Sequence, residues 1–91
     1  MTNHIRPTPD DLLRHARQYY ELATLLKYDK EFEDKFTAAV EASDEGRLGS
    51  LLEPLGMRDV TISSIDTRAE RGVCEHCWVW HGKLVCHPIC M

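Results

Sequence analysis

Four cysteines stand in the last eighteen residues of a 91-residue chain, Cys74, Cys77, Cys86 and Cys90 in a C-x2-C-x8-C-x3-C array, behind a long segment with none. A chain of this size buries only a modest core, so whatever the sulfurs do weighs heavily in its stability. Two chemistries fit four thiols so close in sequence. They can close around one zinc ion as a structural four-thiolate site, or they can become covalent cross-links.

Between the inner cysteines runs Trp78-Val79-Trp80-His81-Gly82-Lys83-Leu84-Val85, two β-prone stretches around a glycine, which predicts a hairpin. Folding that hairpin brings Cys77 near Cys86. In the zinc case Cys74 and Cys77 supply one pair of thiolates and Cys86 and Cys90 the other. His76, His81 and His87 lie among the thiols and can replace one of them, or hold a softer metal such as copper. In the cross-linked case Cys77 pairs with Cys86 and Cys74 with Cys90, one of three connectivities open to four cysteines. No Ser or Thr occurs from Ala69 to Met91, so lanthionine rings confined to the tail are excluded. Thioethers, disulfides, or carbon-linked rings at Trp78 and Trp80 remain open. The plainer role for these two tryptophans is to cover one face of the hairpin.

The segment before the tail reads as helices. Thr8 caps a first helix over about residues 9 to 27, with Pro9 at its first position and Asp10 and Asp11 in its first turn. Leu12, Leu13, Ala16, Tyr19, Tyr20, Ala23 and Leu26 are expected to form its buried stripe. Asp29 caps a second helix that ends near Ala42. Ser43 caps a third, with Leu48, Leu51, Leu52 and Leu55 inward and Gly56 as a left-handed stop. Val60, Ile62 and Ser64 then alternate as a short strand does, and Asp66 to Gly72 reads as a polar connector. The expected fold is mostly α: a small three-helix body with one short β-strand, followed by a cysteine-rich C-terminal β-hairpin. The expected division is 1–65 as the helical body, 66–72 as connector and 73–91 as the tail.

Charge narrows the partners. Residues 1 to 70 hold nine Lys/Arg against fourteen Asp/Glu, and residues 71 to 91 hold Arg71 and Lys83 against Glu75, which makes −5 followed by +1. An acidic body without a basic cluster is a poor match for phosphate backbones, so nucleic acid is not expected as a partner. No apolar run is long enough for membrane insertion. Met1 to Asp10 carries no signal-peptide pattern, so the chain is expected in the cytoplasm, where its thiols start reduced and from which a matured tail can be exported.

The segment Lys27-Tyr28-Asp29-Lys30-Glu31-Phe32-Glu33-Asp34-Lys35-Phe36, with Ala38-Ala39 and Leu51-Leu52-Glu53-Pro54-Leu55-Gly56, resembles the leader peptides associated with nitrogen-fixation and nitrile-hydratase-like families. The likeness covers about residues 20 to 65. It implies a precursor of a ribosomally made, post-translationally modified peptide, whose folded acidic leader is bound by a maturing enzyme and whose Cys-rich core is modified. Phe32 and Phe36 would then form part of the docking surface, although apolar periodicity alone places both in a helical core.

No enzyme is expected. His15 falls on the first helix beside Arg14 without a nucleophile, and the carboxylates fall on solvated faces or at helix starts. The Cys74-Glu75-His76-Cys77 segment lacks the βαβ setting of a thioredoxin-like motif, and covalent haem attachment is closed because Trp78 stands where a histidine is required. The expected function is therefore a modified-peptide precursor, with cross-links at Cys74, Cys77, Cys86, Cys90, Trp78 and Trp80 and no cofactor. The alternative is a small zinc-binding interaction module in which all four cysteines ligate a structural ion.

Overall fold

The computed structural model describes residues 7–65 and 74–90. Among the described residues three helices, α1 (Pro9–Tyr28), α2 (Lys30–Glu41) and α3 (Glu45–Leu52), lead through a short 3-10 turn (Glu53–Leu55) into three strands. These are β1 (Thr61–Ser63), β2 (Glu75–Trp80) and β3 (Lys83–Pro88). The predicted connector at 66–72 lies outside the described residues. Among the described residues no helix is long and apolar enough to cross a membrane.

Local chemistry sets the helix ends. The Asp11 backbone N–H donates to Thr8 Oγ1 at 3.1 Å while the Thr8 N–H donates to Asp11 Oδ2 at 3.0 Å, a reciprocal cap with Pro9 just inside it. Asp29 ends α1 and caps α2 by accepting from the Phe32 N–H at 3.1 Å. The third cap is Asp44, which accepts from the Arg47 N–H at 3.0 Å, and not the predicted Ser43. Ser43 takes a left-handed backbone, φ 53°, that turns the chain between α2 and α3. Pro54 cannot continue α3 in regular form, and the turn that replaces the last helical residues stops at Gly56 with φ 82°.

The strands form one antiparallel sheet in the order β1-β3-β2. The expectation of an isolated strand followed by a separate hairpin is corrected here. Thr61, Ile62 and Ser63 pair with Cys86, Val85 and Leu84, which makes β3 the central strand. The β2–β3 turn is His81-Gly82, with φ 52° and 82°, the pair of positive values that a two-residue hairpin turn of the mirror-image type requires. It sets the register Cys77↔Cys86, His76↔His87 and Trp78↔Val85.

The helices pack on the sheet face that carries Ile62, Val85, Trp78 and Trp80, around a core that includes Leu22, Phe36, Val40, Leu48 and Leu52. Phe36 meets the Trp80 ring at 5.6 Å, and Trp80 Nε1 donates to Thr37 Oγ1 at 3.1 Å. The Ile62 N–H donates to Glu45 Oε2 at 2.9 Å, which ties the sheet edge to the start of α3. Phe36 is fully buried, and Phe32 is half-buried against the same core. Both follow the plain apolar periodicity.

Helix α1 is rotated relative to its predicted stripe. Leu13 and Tyr20 are 68% and 73% exposed, whereas Asp11 and Leu22 are buried and His15, Gln18, Leu25 and Leu26 are half-buried. The inward face therefore runs Asp11, His15, Gln18, Leu22 and Leu25/Leu26, which keeps helical spacing but begins with polar groups. Arg14 fixes this rotation. Its Nη2 donates to Asp11 Oδ1 and to the Ile89 carbonyl, each at 2.8 Å, and so ties α1 to the end of the hairpin.

Candidate metal centre

The rotation of α1 brings His15 over the sheet, against His76 of β2 and His87 of β3. His76 and His87 are directly opposed partners, so their side chains share the helix-facing side. One ring nitrogen from each of His15, His76 and His87 lies within 4.8 Å of the other two. The ring centroids are 4.6 Å apart for His15 and His76, 5.1 Å for His15 and His87, and 5.8 Å for His76 and His87. Tyr19 and Trp78 close one side, with ring centroids 4.8 and 5.5 Å from that of His76.

His15 Nδ1, His76 Nδ1 and His87 Nε2 are buried and have no hydrogen-bond partner among the described residues. A buried polar atom left unpaired costs on the order of 1–3 kcal/mol. Each ring of the cluster carries one such atom. Three imidazoles with nitrogens this close make a donor set of the kind that transition-metal ions take.

The electrostatics agree. Burial pushes the His87 imidazole down to about 4, with the neighbouring His15 and His76 working in the same direction and the Pro88 backbone opposing. Burial, followed by the charge of His76, lowers His15, and burial lowers His76. All three rings are therefore neutral near pH 7, the form in which imidazole binds a metal.

The sulfurs pair off as Cys77 with Cys86 and Cys74 with Cys90, at Cα separations of 4.1 and 5.8 Å. This is the nested pairing of the cross-linked alternative. Among the described residues, one close group of ligand atoms joins Cys77 and Cys86 to Glu75, and neither Cys74 nor Cys90 belongs to such a group. The Ile89 N–H donates to the Cys74 carbonyl at 2.9 Å and closes the open end of the hairpin.

Of the histidines predicted near the tail, His76 and His87 belong to the cluster and His81 does not. His81 sits in the hairpin turn, its Nδ1 3.4 Å from Glu41 Oε2. Trp78 and Trp80 both pack against the helical core. Apolar periodicity misses His15, because the stripe it draws runs through Leu13 and Tyr20. The signal that finds it is its helical spacing from Gln18, Leu22 and Leu26 together with the buried Thr8–Asp11 cap. Comparison with known proteins yields no matching family model, no matching curated protein and no matching solved structure.

Proposed function

We propose that this protein is a small, disulfide-stapled metal-binding module that holds one divalent transition-metal ion on His15, His76 and His87, with zinc the best fit. The observation that carries this is the convergence of one nitrogen from each of three imidazoles on two strands and a helix, each ring also holding a buried nitrogen without a hydrogen-bond partner among the described residues. Zinc sits about 2.0–2.1 Å from imidazole nitrogen in tetrahedral geometry, which sets the nitrogens roughly 3.3 Å apart. Small side-chain rotations close the cluster to that spacing. Three protein ligands leave a fourth position for water or for a ligand from a partner.

The module differs from the four-thiolate alternative in using nitrogen where sulfur was expected. The disulfides support the site by locking the two strands that carry His76 and His87. Arg14 supports it from the other side by holding α1 against Ile89. Equilibrium dialysis of the oxidised protein against zinc tests this. One equivalent bound to thiol-free protein, lost in His15→Ala, is the expected result; equal binding by wild type and His15→Ala refutes it.

A second reading, a cross-linked precursor peptide, is favoured by the nested Cys77–Cys86 and Cys74–Cys90 pairing. Against release of the tail stands the central position of β3, whose Leu84, Val85, Cys86 and His87 are all buried. Detaching it removes part of the core. Co-expression with a peptide-maturing enzyme followed by intact-mass measurement distinguishes the two: a cleaved tail supports the precursor, and an uncleaved chain that carries zinc supports the module.

A further inference from the structure

On the opposite face of the sheet, we infer a second, redox-gated metal site formed by Cys77, Cys86 and Glu75, which shares no ligand with the three-histidine cluster. Alternation along β2 puts Glu75 and Cys77 on one face and His76 and Trp78 on the other. Cys86 opposes Cys77 directly, and Thr61 of β1 opposes Cys86 from the other side. One carboxylate oxygen of Glu75 and the two sulfurs lie within 4.8 Å of one another.

Two features go beyond proximity. Glu75 Oε1 and Thr61 Oγ1 are both buried without a hydrogen-bond partner among the described residues. A disulfide has no proton to donate to the Glu75 carboxylate oxygen and is a poor acceptor for the Thr61 hydroxyl, so in the oxidised protein both stand beside inert sulfur without a partner among the described residues. Reduction changes its chemistry. Two thiolates and a carboxylate make a soft-to-borderline S2O set suited to zinc, and the Thr61 hydroxyl is available to a water in the fourth position.

The opening step is thiol–disulfide exchange with a dithiol reductant. A thiolate of the reductant attacks Cys77 Sγ on the half-buried edge strand, the Cys77–Cys86 bond breaks, and Cys86 leaves as thiolate. The second thiol of the reductant then displaces Cys77 and ends as the reductant's own disulfide, so two electrons pass to the protein sulfurs. The ion binds the two thiolates and displaces their protons to solvent. Oxidation by a disulfide of the same class reverses the sequence and expels the metal. The site therefore loads under reducing conditions, while the histidine site has no sulfur among its ligands in either state.

Cobalt titration of the full chain, oxidised and reduced with a phosphine, tests this, because the intense thiolate-to-cobalt charge-transfer band reports sulfur ligation alone and is blind to the imidazole site. The band is expected in the reduced protein only, retained in Cys74→Ser/Cys90→Ser and lost in Cys77→Ser. Glu75→Gln, which leaves both sulfurs and the fold in place, is expected to weaken cobalt binding at least ~10-fold, the loss seen even for a group that only supports a metal ligand. A reduced protein without the band overturns the proposal. So does a band that disappears in Cys74→Ser/Cys90→Ser, or an affinity unchanged in Glu75→Gln. Failure of the histidine site leaves every one of these outcomes unaltered.

Discussion

Lowering the pH of the metal-free, disulfide-intact protein from 6.5 to 4 is expected to remove about 3 kcal/mol of folding stability through His87 alone. His87 is 1% exposed, and its imidazole falls from an ordinary 6.5 to about 4 in the folded chain. That displacement of roughly 2.5 pH units, at 1.36 kcal/mol each, gives the figure. The sign follows from which state binds the proton first. Above pH 6.5 the ring is neutral folded and unfolded, and it contributes no pH dependence. Below 6.5 the unfolded chain is protonated while the folded one resists, so stability drains until the folded ring also titrates near 4. His15 and His76 are lowered by burial and act in the same direction. Asp11, held near 2 by the Thr8 backbone and Arg14, loses its contribution only as pH falls from 3.8 toward 2, below this window. Urea unfolding followed by the fluorescence of Trp78 and Trp80, at several pH values with a chelator present, measures the slope. His87→Leu keeps the bulk and removes the titration, so its stability is expected to change far less over the same range. Parallel profiles for wild type and His87→Leu refute the burial of a neutral imidazole.

Arg14→Ala touches no ligand yet removes the tie between α1 and Ile89, and it is expected to weaken zinc binding about 10-fold in dialysis while the far-ultraviolet circular dichroism of the helices is kept. Val85→Ala, at a fully buried position on the central strand, is expected to cost roughly 1–3 kcal/mol in chemical denaturation, somewhat below the larger cavity mutations. Gly82→Ala introduces a side chain at φ 82° and is expected to destabilise the hairpin by about 1 kcal/mol through backbone strain, since nothing lies within 4 Å for the new methyl to strike. His81→Ala, in the turn and outside the cluster, is expected to leave zinc stoichiometry at one equivalent.

The helices are legible in the sequence because their ends carry strong local signals. Thr8, Asp29 and Gly56 do at their positions what side-chain capping and left-handed backbone allow, and Asp44 takes the cap from Ser43 because Ser43 is needed for the turn. The hairpin follows from Gly82 and alternating β-prone residues, whereas its sulfur pairing is one of three connectivities the sequence leaves open, selected by the register that opposes Cys77 to Cys86. The rotation of α1 is not legible from hydrophobicity alone, since its inward face opens with a buried Asp11 bonded to Arg14, and Arg14 reaches on to the Ile89 carbonyl, a tertiary contact that no periodicity encodes. Placing Leu13 and Tyr20 inward turns His15 away from the sheet and hides the third imidazole. The joining of β1 to β3 is equally invisible, because pairing Ile62 with Val85 depends on contacts across a segment that the local pattern does not describe.

The most direct test is the X-ray absorption spectrum of zinc bound at one equivalent to the oxidised protein. Three-imidazole ligation predicts a first shell of nitrogen and oxygen only, at about 2.0–2.1 Å, with the outer-shell scattering of histidine rings. A shell of sulfur at about 2.3 Å contradicts it and returns the metal to the cysteines.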